Sequence, residues 1–371
     1  MMNYVVKMSS GTLTGLEAAD VSGVFDAMLK SPAQQIGFMV LAVLLGFLVC
    51  RLGLKNGVER VSKVMMSCLF LIMIVLCVRS LTLPNAIEGL KFYLIPDFNR
   101  MLEAGISNVI FAAMSQAFFT LSIGIGAMMI FGSYLERNRS LAGEALSITG
   151  LDTFVALMAG FIIIPACFAF GIEPGAGPSL IFITIPNIFS QMPGGQVWGA
   201  LFFLFLTFAA FTTLVAVFEN IISFDMDLFH WSRKKSVIVS AILIIILSMP
   251  CVLGFNILSG IQPLGEGSTI MDLEDFIVSN NFLPLGSLGY LLFCTRENGW
   301  GWKKFLEEAN TGEGIGFPKG LKGYVGYVIP LLIIIIYLKG YYDMFSPRGT
   351  VVLAIWMIVS LLVLALVLTG V

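Results

Sequence analysis

The chain has 371 residues, of which 58% are hydrophobic and only 12% charged, and its formal net charge at pH 7 is -2. A mean hydropathy of +0.94 excludes a water-soluble domain and predicts an all-α polytopic membrane protein, with the lipid bilayer as its solvent. The nearly balanced charge argues against a nucleic-acid partner. The single histidine, His230, leaves no basis for a histidine metal site or histidine-based catalysis.

The first stretch, Met1 to Lys30, lacks the basic start and apolar core of a signal peptide. A bilayer crossing needs about 20 mostly apolar residues. Nine such spans are predicted, at 34–54, 59–83, 106–135, 152–172, 197–224, 236–258, 272–295, 321–341 and 349–371. Between the fourth and fifth, Pro174 to Gln196 is apolar but rich in Pro and Gly. It reads as one or two short helices in a large loop, with a further span as the alternative. The six cysteines, Cys50, Cys68, Cys77, Cys167, Cys251 and Cys294, lie in or at the ends of apolar segments without metal-ligand spacing, as buried apolar cysteines do.

Lys and Arg in the loops set orientation. One side holds fourteen of the 21: Arg51, Lys55, Arg60, Lys63, Arg137, Arg139, Arg233, Lys234, Lys235, Arg296, Lys303, Lys304, Lys319 and Lys322. The other holds Lys7, Lys30, Arg79, Lys91, Arg100, Lys339 and Arg348. The first side is expected to be cytoplasmic, in a plasma (inner) membrane. That places the N-terminus outside and the C-terminus inside. An external N-terminus without a signal peptide suggests that something upstream is missing, through a mis-started reading frame or a separately encoded N-terminal part.

The third span carries the most information. Ala104 to Leu135 is uncharged, yet its centre holds Thr120, Ser122, Gly124 and Gly126 where a lipid-facing helix would carry Leu and Ile. Polar and glycine residues at mid-depth predict an interrupted helix. The backbone groups so freed must be paired inside the protein or bind a solute. Asp152, at the predicted start of the fourth span, is either an N-cap or an ion ligand. Sodium is a hard, oxygen-seeking cation that a carboxylate, the Thr120 hydroxyl and freed carbonyls would suit. Thr212 and Thr213 either bond back to a carbonyl one turn earlier or, with the Ala209 carbonyl, face a second cation. Asp272, Glu274 and Asp275 either complement a helix dipole or supply a gate. Asp225 and Asp227 read as a solvated turn. No nucleophile–base pair, histidine cluster or phosphate-cradling loop points to an enzyme.

Ordered motifs then carry a resemblance: Gln-x-Phe-Phe-Thr-Leu-Ser-x-Gly at 116–124, Gly-Ser-Tyr at 132–134, Phe-Ile-Thr-x-Pro-x-Ile-Phe at 182–189, Phe-Ala-Ala-Phe-Thr-Thr at 208–213 and Ser-Arg-Lys-Lys at 232–235. From about residue 10 to about residue 345 the chain resembles the neurotransmitter:sodium symporter family, in its bacterial amino-acid transporter branch. The resemblance implies the five-plus-five inverted-repeat fold, in which discontinuous helices build the binding sites. The first span then looks like family helix 4, the third like the unwound helix 6, and the last like helix 12. Thr120 and Asp152 match the first sodium site. Ala209, Thr212 and Thr213 match the second. Phe119, Thr120, Ser122 and Ile125 match the unwound segment lining the substrate pocket, with Phe119 as its aromatic lid and Val217 on the facing helix. Asp275 matches the outer gate, and Ser133, Tyr134 and Asp227 the inner gate. Asp152 would supply a fixed negative charge, which looks like the chloride-independent bacterial solution. Family helices 1 and 2 and most of helix 3 have no counterpart, so the fold is expected to lack its first two to three helices.

These observations divide the chain into an extracellular segment (1–33), the last two helices of a first repeat (34–103), a complete second repeat unwound at 119–124 (104–300) and two accessory helices (301–371). The expected function is sodium-coupled symport of an amino acid or related small amine by alternating access, with sodium as coupling ion and no organic cofactor. The alternative is a non-transporting membrane fragment or scaffold. Ile125 and Val217 make the visible part of the pocket apolar, which favours a hydrophobic or aromatic side chain on the substrate.

Overall fold

The structure is a computed structural model describing residues 1–16, 18–172, 174 and 177–370, without the side chains of Ala18, Ala19, Lys55, Asn56 and Ala127. Among the described residues every regular element is a helix. Eight helices among the described residues are long and apolar enough to cross a bilayer. They include α1 (Pro32–Arg51) and α2 (Gly57–Leu81). Between these and the rest lie α3 (Ile106–Thr120) and α4 (Ala127–Ser133), the two halves of the predicted third span. The remaining long helices are α5 (Leu141–Ala169), α6 (Gly195–Phe229), α7 (Arg233–Leu253), α8 (Ile270–Thr295), α9 (Lys319–Arg348) and α10 (Thr350–Gly370).

Glycine and capping residues explain several of the ends. Gly53, Gly105, Gly126 and Gly194 have positive φ at helix boundaries, a region that costs glycine little. Ser232 caps α7 by accepting the Lys235 N–H at 3.4 Å. Two departures from expectation stand out. Just before the predicted third span the chain turns by 93° at Gly105, where Phe98–Ala104 meets α3, and the span itself is interrupted at 121–126, slightly later than the predicted 119–124. The fourth span begins at Leu141 rather than at 152, so Asp152 lies about three turns inside α5 and is not its N-cap. Apolarity marks where a helix is buried, but α5 continues beyond that stretch through Leu141–Gly150. The region after Pro174 forms short helices, Gly177–Ser179, a π-turn at Leu180–Thr184 and Ile185–Gln191, as expected for a loop.

The chain forms two compact units. The first comprises Met1–Pro96 and Phe154–Met271, and the second Asp97–Thr153 and Asp272–Val371. The chain passes from one to the other at Pro96–Asp97, inside α5 at Thr153–Phe154, and at the start of α8 at Met271–Asp272.

In the first unit, α6 is the spine. Phe202, Phe203 and Phe205 on its first half join a core with Tyr4, Leu69, Met73, Ile162 and Ile188. Further along, Phe211, Val215, Phe218 and Ile222 join Val43, Phe47, Cys50 and Val237. Phe47 stacks on Phe218 with ring centres 4.2 Å apart. Gly46 permits this contact, since a Cβ there would stand 2.5 Å from Leu214 and 2.7 Å from Phe218. In the second unit, α9 and α10 meet through the stacked rings of Phe345 and Trp356, 4.8 Å apart, and the Tyr337 hydroxyl donates to the Ser360 carbonyl at 3.2 Å.

Candidate functional site

The helix interruption at 121–126 follows directly from its residues. Ser122, Gly124 and Gly126 all have positive φ, at 49°, 100° and 81°. No α-helix continues through such a run, and two of the three positions are glycine, where the conformation costs least. The segment lies against α8 with backbone touching backbone. A Cβ on Gly124 would stand 2.2 Å from the Leu283 carbonyl oxygen, and one on Gly286 would stand 2.1 Å from the Gly124 oxygen. Just before the break, the carbonyls of Ala117, Phe118 and Phe119 accept from Leu121, Ile123 and Ser122. Among the described residues the carbonyls of Thr120 and Leu121 accept no backbone hydrogen bond. The break therefore leaves two backbone oxygens without a backbone donor.

Thr120, the last residue of α3, donates its hydroxyl to both carboxylate oxygens of Asp152, at 3.0 and 3.2 Å. The second unit thus brings these two predicted site residues together, 32 positions apart in sequence. Hydroxyl and carboxylate oxygens are the ligand type that a hard cation takes. Among the described residues no group of three or more His, Cys, Asp and Glu is arranged to hold a metal ion. Phe119 and Ile125 flank the break with 55% and 37% of their surface open, and Ser122 is half-buried.

The other sites divide between the units. In the first, Thr212 and Thr213 both donate back to the Ala209 carbonyl, at 2.9 and 3.3 Å. The paired threonines thus adopt the ordinary back-bonded arrangement, and a cation would have to displace these bonds. Val217, 36% exposed, stands one turn further along α6. Asp227 is exposed near the end of α6. Asp225 does not read as a plain solvated turn: it is half-buried and accepts the Ser240 hydroxyl at 2.6 Å. In the second unit Asp275 is exposed and accepts from Ser279 at 2.8 Å, one turn on within α8. Ser133 donates to the Ile130 carbonyl at 2.7 Å at the end of α4, beside the exposed Tyr134.

The structure adds a polar anchor that the sequence reading passed over. Glu219 is fully buried on α6. Arg233 donates one guanidinium nitrogen to it at 3.0 Å and another to the Cys50 carbonyl at 2.7 Å. A single acid inside an apolar span was a signal in plain view, since such residues are kept only when paired.

Comparison with known proteins then defines the class. The family described as the sodium:neurotransmitter symporter family matches residues 28–265, and the chain belongs to that family of membrane transporters. Its transport is accordingly sodium-coupled, and it works as a transporter rather than an enzyme. It is 35% identical over 338 residues to an uncharacterised sodium-dependent transporter, YhdH, of Bacillus subtilis, covering 91% of this chain and 73% of that protein. It is 32% identical to an uncharacterised sodium-dependent transporter of Haemophilus influenzae, with the same coverage. The crystal structure of MhsT in complex with L-phenylalanine superposes with a TM-score of 0.79 at 34% identity, covering 91% of this chain and 75% of that one.

Proposed function

We propose that this chain carries the binding machinery of a sodium-coupled amino-acid symporter whose substrate has a hydrophobic or aromatic side chain. The observation that carries the reading is the interrupted helix at 121–126, with Thr120 hydrogen-bonded to Asp152 beside the free carbonyls of Thr120 and Leu121. In this reading one sodium ion takes the Thr120 hydroxyl and the Asp152 carboxylate. A second takes the Ala209 carbonyl and the Thr212 and Thr213 hydroxyls, once these turn from their present bonds. Phe119, Ser122 and Ile125 in the second unit and Val217 in the first are the substrate-binding residues, Asp275 is the outer-gate residue, and Ser133, Tyr134 and Asp227 are the inner-gate residues. Residues 34–103 end a first repeat and 104–300 form the second. The protein sits in the plasma membrane with its Lys- and Arg-rich loops in the cytoplasm.

The apolar character of Phe119, Ile125 and Val217 supports the substrate class, and so does a structural relative crystallised with L-phenylalanine. Sodium supports the state in which the break is open and its carbonyls are charge-compensated. Substrate then bridges the freed backbone groups, and the gates exchange. The test is binding and uptake of tritiated L-phenylalanine by the chain in proteoliposomes, with sodium or potassium outside. Saturable binding in sodium only, lost in Thr212→Ala, is the expected result. Uptake that ignores sodium and Thr212→Ala overturns the coupling. Displacement by polar but not by apolar amino acids overturns the substrate class, and an absence of saturable binding favours the non-transporting alternative.

A further inference from the structure

The groove between α1 and α7, within the first unit, has the features of a lipid site. It encloses about 370 Å³. Its walls include Leu44, Leu48, Ile238 and Ile242, each more than half exposed, as suits side chains that face hydrocarbon. One end is different: Arg51, in the last turn of α1, and Lys234, in the first turn of α7, both line it. Neither has an ion-pair partner among the described residues.

The neighbouring cations show how selective this is. Arg233 is committed to Glu219 and the Cys50 carbonyl, and the Lys235 ammonium lies 4.2 Å above the Trp231 ring. The Arg233–Cys50 bonds tie the end of α1 to the start of α7 and so hold Arg51 and Lys234 at one mouth. A lysine in a first helical turn opposes the helix dipole, so nothing local to α7 favours Lys234 there. Two uncompensated cations at the head of an apolar groove between membrane helices complement an anionic headgroup above a hydrocarbon chain.

We propose that this groove binds an anionic phospholipid, with its phosphate between the Arg51 guanidinium and the Lys234 ammonium and an acyl chain along Leu44, Leu48, Ile238 and Ile242. The test is native mass spectrometry of the chain released from detergent with phosphatidylglycerol, phosphatidylcholine or inorganic phosphate. Wild type should retain one phosphatidylglycerol in preference to phosphatidylcholine, and excess inorganic phosphate should not displace it. Each cation near an anionic lipid is worth roughly a fivefold affinity factor, so the Arg51→Gln/Lys234→Gln double variant should retain it about thirtyfold less well. Leu48→Trp, which fills the groove and keeps both cations, should also lose the lipid at an unchanged Tm. Equal retention of the two lipids, displacement by inorganic phosphate, or undiminished retention in either variant overturns the proposal.

Discussion

At Gly286 one methyl group separates a packed helix break from a disrupted one. Its Cβ would stand 2.1 Å from the Gly124 carbonyl oxygen, a backbone atom with no freedom to swing aside. Gly286→Ala should therefore destabilise the second unit by about 1–3 kcal/mol, the usual scale of overpacking. The readouts are a lower Tm in detergent and weaker sodium-dependent phenylalanine binding. Gly289→Ala on the same helix meets nothing within 4 Å and should leave both unchanged. Thr120→Ala removes a hydroxyl that donates to both Asp152 oxygens. The sodium concentration for half-maximal phenylalanine binding should rise at least about tenfold, equivalent to losing one charge-assisted hydrogen bond of roughly 1.5–3 kcal/mol. Titration of binding against sodium checks this, and an unchanged midpoint would remove Thr120 from the ion site. The glycines of the break were legible because positive φ has a short list of residues that tolerate it. Their partner Gly286 was not, since nothing in Leu-Gly-Ser-Leu-Gly-Tyr distinguishes the glycine that touches a backbone from the one that faces open space.

At the scale of elements, the joint between α6, α7 and the end of α1 rests on Glu219 and Arg233. Removing one partner strands a charge where the Glu219 side chain has no exposure, and such losses cost about 3–5 kcal/mol. Glu219→Gln and Arg233→Gln should each lower the Tm sharply. The double variant Glu219→Met/Arg233→Met should lose less than either single change, because no unpaired charge remains. Thermal denaturation of the three variants in one detergent decides it, and additive losses would show that the ion pair is not the source. Element boundaries were legible only in part. Apolar runs located every long helix, but α5 extends well before its apolar stretch, and that extension moves Asp152 from a helix end to a helix interior facing Thr120.

At the scale of the whole molecule, large apolar side chains stay open along the spans: Leu71 and Leu247 are 66% and 69% exposed, and Leu366 71%. Large apolar side chains left open along hydrocarbon-length helices need a bilayer. The Lys and Arg distribution fixes an expected orientation. Asn138→Cys, between α4 and α5, should label with a membrane-impermeant maleimide only in inverted vesicles, and Gly260→Cys, between α7 and α8, only in right-side-out ones, each in a background lacking native cysteines. The opposite pattern would invert the orientation and with it the assignment of outer and inner gates.

Membrane class, the approximate place of each span, the broken helix and the family were legible in the sequence itself. Each depends on properties local to the chain: hydrocarbon-length apolar runs, residues that admit positive φ, and ordered short motifs. Which of the polar residues meet was decided only by tertiary structure. The sequence reading could name Thr120 and Asp152 only as joint candidates for an ion site, with the N-cap reading of Asp152 left open, while Glu219 with Arg233, Asp225 with Ser240 and Gly124 against Gly286 did not enter it at all. Their meeting depends on helix rotation and crossing, which set which side of each helix faces a neighbour. In a nearly uniform apolar sequence, many rotations bury equal hydrocarbon. Close glycine contacts and paired polar groups then select one of them, because a stranded charge or a blocked backbone costs far more than an exchanged leucine.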